Sequence, residues 1–456
     1  MMTDRRSYLG LTLLFGVLAV LAVLAFVRVP TARAVPSYSR QTGFSCSSCH
    51  MTPPELTPLG RTFKLNGYTI AGMATITSKK SGREAGLELL QTFPLAVLFD
   101  TSFTTTRASQ PGTQNGNFEF PQDASLFLAG AWSTHVGSFM QVTYNGQADH
   151  FSWDNTDIRY SNATKLLHKD LVYGVTLNNN PSVEDLWNDT PAWGFPWVSS
   201  DAAPTPTAAA IINGTLAQDV AGIGGYGMWN NHLYLAATIY RSQHLGGPQP
   251  NPGTNFGFNI RGVAPYWRVA WQETTKNNYL EIGSYGMHMN STPNGVTGPE
   301  DSYTDWAFDF QYDRKIPQWR GDILSVRGTY IRENSNLLAT YNAGGASQPG
   351  HHLNTVQANA EYHLGNRLSG TFGLFSINGT PDLLLYPTMA VSGSAKNDPR
   401  SNGYITNVSW WPAQNFDLAF QYTGYLRFNG SGTNYDGSGR SAGGNGTVYL
   451  LGRFIF

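Results

Sequence analysis

The sequence predicts an all-β protein: a sixteen-stranded antiparallel β-barrel of the outer-membrane type, preceded by a small N-terminal segment. Three observations predict it. From about Leu87 the chain is built of runs of 8 to 13 residues with alternating character, such as Ser125–Ser133, Asp170–Leu177 and Leu418–Phe428. Period-two alternation marks strands with two differently solvated faces, and a tilted membrane strand needs about 9–11 residues. Connections between the runs alternate between short ones and long ones rich in Gly, Pro, Asn and Ser, as in barrels with short periplasmic turns and longer outer loops. Charged residues make up only 13% of the chain, against about 25% in ordinary soluble domains, and no stretch after the leader approaches the apolar length of a membrane helix.

In chain order, Arg5 and Arg6 precede an apolar run from Leu9 to Val27, and Ala32-Arg33-Ala34 supplies the small-x-small pattern read by signal peptidase. Residues 1–34 are therefore read as a signal peptide, the competing reading being a retained membrane anchor. Either way the next segment reaches the oxidising side of the inner membrane. Without the leader, 25 basic and 29 acidic residues remain, a net charge near −4. No basic field for nucleic acid is present.

Residues 35–86 form a short segment around Cys46-Ser-Ser-Cys49-His50, which holds the only two cysteines of the chain. Two thiols at this spacing followed directly by histidine are the pattern for covalent c-type haem: the thiols add to the porphyrin vinyl groups, and the imidazole is the proximal iron ligand. Cys46 and Cys49 are thus candidate haem anchors and His50 a candidate iron ligand. A redox disulfide and half of a zinc site compete. A zinc site wants further ligands nearby, and the next histidine is His135. Fifty-two residues bury too little to be robust alone, so the segment is expected to lean on whatever encloses it.

Residues 87–456 carry the sixteen runs, centred near 98, 129, 141, 158, 174, 222, 236, 266, 284, 308, 327, 359, 373, 407, 422 and 451. The last, Thr447–Phe456, sets Val448, Leu450, Gly452, Phe454 and Phe456 on one face, an apolar stripe expected to meet lipid. An edge strand of a soluble sandwich is the competing reading. The connection Asn178–Trp197 is much the longest and carries Glu184, Asp185 and Asp189 beside three tryptophans, with Asp201 just beyond. It is read as folding into the lumen, as offering carboxylates to a hard cation, or as a plain surface loop. Met287-His288-Met289 is read as strand packing ahead of a metal site.

The stretches Val35–His50, with Arg40-Gln41-Thr42-Gly43 leading into the motif, and Glu55–Thr69, together with the Asn178–Pro196 loop, resemble the fused outer-membrane cytochrome-porins of iron-oxidising bacteria. Beyond them the likeness is one of architecture and length. This chain has Tyr38 and Ser39 where that family has an aromatic residue and Ala. The resemblance implies one covalent haem c on a plug inside a sixteen-stranded barrel, passing electrons from an extracellular donor to periplasmic c-type cytochromes. Ferrous iron is the donor of some members, while others with the same motif have no assigned donor.

Around such a haem, Arg40, Arg61 and Lys64 are candidates to neutralise the propionates, or are solvated plug residues, or pair with acidic groups of the lumen. Met73 is the candidate distal iron ligand within the segment, a barrel residue or an open position being the alternatives. Phe44, Phe63 and Tyr68 pack on the porphyrin or form the segment's own small core. No acid–base pair, nucleophile triad or phosphate loop is evident, consistent with one-electron transfer. The competing functional readings are a porin-like channel whose haem plug is structural or sensory, and the same conduit with a different extracellular donor.

Overall fold

A computed structural model describes residues 37–75, 93–188, 195–216, 219–242, 259–293, 297–317, 321–365 and 367–456. The expected signal peptide, the boundary at 86/87, Asp189 and Trp193 lie outside the described residues.

Hydrocarbon offers backbone groups no hydrogen bonds, so strands can cross it only as a closed sheet. The described chain meets that condition: sixteen antiparallel strands pair in sequence order and β1 pairs with β16 to close the barrel. The strands are β1 Leu95–Thr106, β2 Asn117–Ala131, β3 Val136–Asn145, β4 His150–Leu166, β5 Lys169–Asn178, β6 Val220–Trp229, β7 Leu233–Ser242 and β8 Ala264–Thr274. They continue as β9 Asn278–Ser291, β10 Asp301–Ile316, β11 Asp322–Asn336, β12 Gly350–Leu364, β13 Leu368–Gly379, β14 Ser401–Ala413, β15 Phe416–Arg427 and β16 Thr447–Ile455. Every expected strand centre falls inside one of them.

Alternation sorts each strand into two faces. On β10, Trp306, Phe308 and Phe310 are exposed on the outer surface while Asp305, Ala307, Asp309, Gln311 and Asp313 are buried. The outer face is thus apolar enough for lipid and the inner one needs polar partners. β16 behaves as expected, with Phe454 and Phe456 exposed, whereas Tyr449 and Leu451 are buried.

One end of the barrel carries tight turns, such as 132–135, 167–168 and 230–232, and the other carries the long connections. The expected alternation of short and long fails once. The β3–β4 connection, residues 146–149, has loop-end polarity but turn length. Beside it the rim is occupied by the β5–β6 connection, whose Asp201 accepts a hydrogen bond from Asn145 (2.6 Å).

The N-terminal segment sits in the turn end of the lumen as three short helices, α1 Ser37–Thr42, α2 Cys46–Cys49 and α3 Pro58–Leu65. α1 docks by polar contacts on the wall: Ser37 Oγ donates to the Ala129 carbonyl, Gln41 Nε2 donates to the same oxygen (3.0 Å), and Tyr38 Oη donates to the Ser138 carbonyl (2.6 Å). α3 starts at Thr57, whose side chain accepts from the Gly60 N–H (3.2 Å), with Pro58 in the first turn, where its missing N–H costs nothing. It stops at Asn66-Gly67, where Gly67 takes φ +68°. The segment's apolar core is small, Tyr38 lying 5.0 Å from Phe63 and 5.8 Å from Tyr68, ring centre to ring centre. The wall therefore carries much of its fixation: Tyr68 Oη donates to Asp157 (2.6 Å), and Leu65 packs with Leu186, Trp187 and Tyr226.

The β5–β6 connection also turns inward. Val183, Glu184, Asp185, Leu186 and Trp187 are all buried. Glu184 accepts from Asn178 and Tyr240 (both 2.9 Å), Asp185 pairs with Arg268 (3.3 Å), and Ile211 and Ile212 donate their N–H groups to Glu333 and Asp305 (2.7 and 3.0 Å). Of the three readings of this connection, folding into the lumen holds. Among the described residues, Asp185 and one oxygen of Glu184 are engaged by protein groups, and Asp201 lies exposed at the rim. Met287 and Met289 are buried in the lumen core with Tyr285 and Ala307, while His288 points to the other face and contacts Thr304, so the packing reading of that stretch holds too.

Lys64 is fully enclosed where α3 meets this connection, donating to the Asp185 carbonyl and to Asn188 Oδ1 (2.8 Å). Burial, with Arg159 adding to it, pushes its pKa from 10.5 down to about 7 against the pull of Asp157, Asp185 and Glu184.

Two outcomes follow from this docking. A Cβ on Gly137 would stand 2.4 Å from the Gly67 carbonyl oxygen. Gly137→Val is therefore expected to cost about 1–3 kcal/mol by overpacking and to open the segment to limited proteolysis, while the barrel still shows its heat-modifiable migration on gels. Because an unfolded Lys64 titrates above the folded one, the segment's docking is expected to strengthen from about pH 7 toward pH 10 as the released proton relieves the buried charge. Protease protection measured across that range should rise in the native protein and flatten in Lys64→Met.

Candidate cofactor site

One helical turn assembles the motif. In α2 the His50 N–H donates to the Cys46 carbonyl (2.8 Å), so Cys46, Cys49 and His50 occupy the i, i+3 and i+4 positions of a single face. His50 then goes extended and forms a bridge with Leu56, closing a tight loop in which Met51 N–H donates to the Glu55 carbonyl (3.1 Å). Close packing behind the turn needs a residue without a side chain, since a Cβ on Gly60 would lie 2.2 Å from the Cys49 carbonyl oxygen.

All three motif residues line a cavity of ≈ 440 Å³ between the N-terminal segment and the barrel wall. Its floor is mostly apolar, with Pro53, Pro54, Leu56, Leu59 and Phe63 from the segment and Leu98, Phe127, Phe139 and Ile455 from β1, β2, β3 and β16. Val183, Asn188 and Trp197 of the β5–β6 connection also contribute. Volume and lining are those of a site for a sizeable apolar ligand held by a few polar groups.

The electrostatics suit such a ligand. Burial lowers the His50 pKa, the carbonyls of Glu55 and Pro54 opposing it, which favours the neutral imidazole, the form that ligates a metal. Burial likewise pushes the Cys49 thiol up to about 11 and raises Cys46. Two buried polar atoms on lining residues have no hydrogen-bond partner, His50 Nδ1 and Trp197 Nε1. Polar donors reach the cavity from Lys64 and from Arg453, whose guanidinium is held by Asp100 in a two-point pair (2.9 and 2.7 Å). On these grounds the residues present fit a covalently tethered haem. Cys46 and Cys49 would hold it, His50 would offer a ring nitrogen to its iron, and Trp197, Lys64 and Arg453 would supply donors suited to its carboxylates.

The candidates read from the sequence divide. Phe44, Phe63 and Tyr68 line the cavity, and Phe63 and Tyr68 are also the segment's core, so both of their readings apply. Among the propionate candidates only Lys64 lines it. Arg40 reaches out to the Leu95 carbonyl instead, while Arg61 lies over the Tyr279 ring (3.8 Å), donates to the Leu56 carbonyl (2.8 Å) and pairs with Asp313 of the lumen (3.8 Å), the acidic-partner reading. Met73 is not among the lining residues either, because the chain leaves the cavity at Ile70 and turns through Gly72. Within the described residues the lining contains no second histidine and no methionine. Arg453 and Trp197 were not singled out in the sequence for this role. Arg453 was accessible to pattern reading, as the one charged residue at an inward-facing position of the last strand. Trp197 was not, because its place depends on how the long connection folds.

A second set of contacts fastens the motif loop to the wall. Glu55 pairs with Arg327, and Thr52 Oγ1 lies 3.1 Å from Ser369 Oγ. Burial pushes the Glu55 pKa up, but Arg327 and His363 outweigh it and leave it at about 2.

No protein-family model matches the chain, and no curated protein does. Among solved structures the barrel is similar to Salmonella typhi OmpF (9% identity, TM-score 0.48, covering 79% of this chain and 97% of that one). It is also similar to the outer-membrane channel DcaP of Acinetobacter baumannii (10% identity, TM-score 0.45, 79% and 96%) and to an anion-selective porin from Comamonas acidovorans (12% identity, TM-score 0.43, 79% and 98%). These likenesses carry neither ligand nor selectivity to this chain, whose barrel rests on its own strand pairing.

Proposed function

We propose that this chain is an outer-membrane electron conduit that oxidises extracellular Fe(II) through one covalent c-type haem and passes the electrons to periplasmic cytochromes. The observation that carries the reading is the convergence of Cys46, Cys49 and His50 on one lined cavity inside the barrel. The resemblance of the flanking stretches to cytochrome-porins supplies the donor and the direction.

The bound group would supply reversible one-electron chemistry. The chain's own part is placement and insulation. Cys46 and Cys49 fix the position without relying on affinity, and the neutral His50 ring presents its nitrogen from a loop clamped by the Leu56 bridge. Apolar walls exclude water from the centre of the cavity, which favours the less charged oxidation state, and Lys64 and Arg453 offset carboxylate charge at its edge. Oxidation of Fe(II) to Fe(III) releases one electron and requires no proton transfer from the protein. The barrel keeps the iron product outside, where its precipitation does no harm.

The second reading is a porin-like channel whose haem plug is structural or sensory; it shares the same barrel and the same inward-lying N-terminal segment and β5–β6 connection, and planar-bilayer conductance that is comparable with and without the segment would favour it. A conduit with another donor keeps every structural element and changes only the outer reactant.

The test is direct. Native protein exported in a host with haem-attachment machinery is expected to carry one covalent haem per chain by intact mass and pyridine-haem spectrum, and to develop the reduced spectrum on adding Fe(II). Cys46→Ala with Cys49→Ala should abolish covalent haem while leaving the barrel migration intact. Native protein of unmodified mass ends the proposal, and a haem that reacts with another donor but not with Fe(II) removes iron as the substrate.

A further inference from the structure

Behind the cofactor cavity lies a group of side chains that neither the cavity nor the proposed electron path uses. Glu55, Glu361 and His363 bring two carboxylates and an imidazole together with all their ligand atoms within 4.8 Å of one another. They are 0%, 1% and 4% exposed. His363 Nε2 stands 3.7 Å from Glu55 Oε2 and 3.7 Å from Glu361 Oε1. That is too far for hydrogen bonds, yet close to the roughly 3–3.5 Å that separates two ligands of one ion bound at about 2.0–2.2 Å.

A second observation is independent of the clustering. Neither oxygen of Glu361 accepts a hydrogen bond, nor does His363 Nε2 take part in one. Thr371, paired with Glu361 across β12 and β13, has a buried hydroxyl in the same condition. Buried carboxylates left without donors are costly, and a bound cation is the usual remedy. Arg327 sits on Glu55 and, with His363, also acts on Glu361 through space, but neither oxygen of Glu361 receives a hydrogen bond from them.

We infer that Glu55, Glu361 and His363 bind one divalent first-row transition ion. The mixed oxygen and imidazole set suits manganese, iron or zinc better than calcium or magnesium. Its placement gives it a structural meaning. Glu55 belongs to the loop that follows His50, whereas Glu361 and His363 lie on β12 three residues or fewer from its end at the tight-turn side of the barrel. The ion would join the N-terminal segment to the wall and fix the loop that carries His50. It lies at the end of the barrel remote from the long loops, and so is a resident ion rather than the extracellular donor.

The inference does not depend on the proposed function, and its test is kept separate. Full-length protein in detergent, stripped with a chelator, is titrated with Mn²⁺ and followed by electron paramagnetic resonance near neutral pH. Uptake of one Mn²⁺ per chain is expected, weakened about tenfold or more in Glu361→Gln and His363→Asn and unchanged in Asp201→Asn, which alters an exposed rim carboxylate. If stripped native protein takes up neither Mn²⁺ nor Zn²⁺, the cluster is held by a protonated His363 and the site is refuted. Binding equal to native in both variants refutes it as well. Should the variants fail to form heat-modifiable barrels, the native titration alone decides. Haem content measured on the same samples reports on the proposed function separately.

Discussion

Everything in this molecule follows from the rule that no backbone polar group can be left unpaired in hydrocarbon. Sixteen strands satisfy it by closing on themselves through β1 and β16. Closure then creates a second problem inside. Alternation that presents Trp306, Phe308 and Phe310 to lipid necessarily turns Asp305, Asp309 and Asp313 inward. A lumen lined with carboxylates must be wet, or filled by groups that answer them. Here several of the described carboxylates are answered by protein groups. Arg268 lies among Asp185, Glu281 and Asp309, Arg159 against Asp157, and the N–H groups of Ile211 and Ile212 against Glu333 and Asp305. The N-terminal segment and the β5–β6 connection are thus part of the barrel's electrostatic solution.

That view explains why so short a segment can hold a shape. Its own core is little more than Tyr38, Phe63 and Tyr68. The wall supplies acceptors for Ser37, Gln41, Tyr38 and Tyr68 and a partner for Glu55. Each is a contact between the segment and a strand more than 80 residues away in sequence. A motif turn clamped in this way presents Cys46, Cys49 and His50 to one cavity with little freedom left to lose, which is the preorganisation a covalently attached redox group requires.

The barrel was legible because its signals are local and repeated: period-two alternation places all sixteen strands, and the apolar stripe of β16 faces as its sequence implies. Met287 and Met289 read correctly as packing for the same reason. Contacts made across the lumen were not legible. Arg40 and Arg61 carry the right charge for the cavity but are drawn to Leu95 and to Tyr279, and Met73 lies past a turn that leads away from it. Nothing in the spacing of Glu361 and His363 points to Glu55, because the three meet only through barrel closure and the docking of the segment. The four-residue β3–β4 connection is the one place where the alternation of short and long read from the sequence does not hold.

The central claim is that electrons cross the barrel through a group tethered at Cys46 and Cys49. The most direct measurement places the purified protein in sealed vesicles with its loop end outward and a reducible c-type cytochrome enclosed, and adds Fe(II) outside. The account predicts reduction of the enclosed cytochrome by native protein and none in vesicles carrying the double cysteine variant. Equal rates with both proteins, or no reduction with a haem-loaded native barrel, would contradict it.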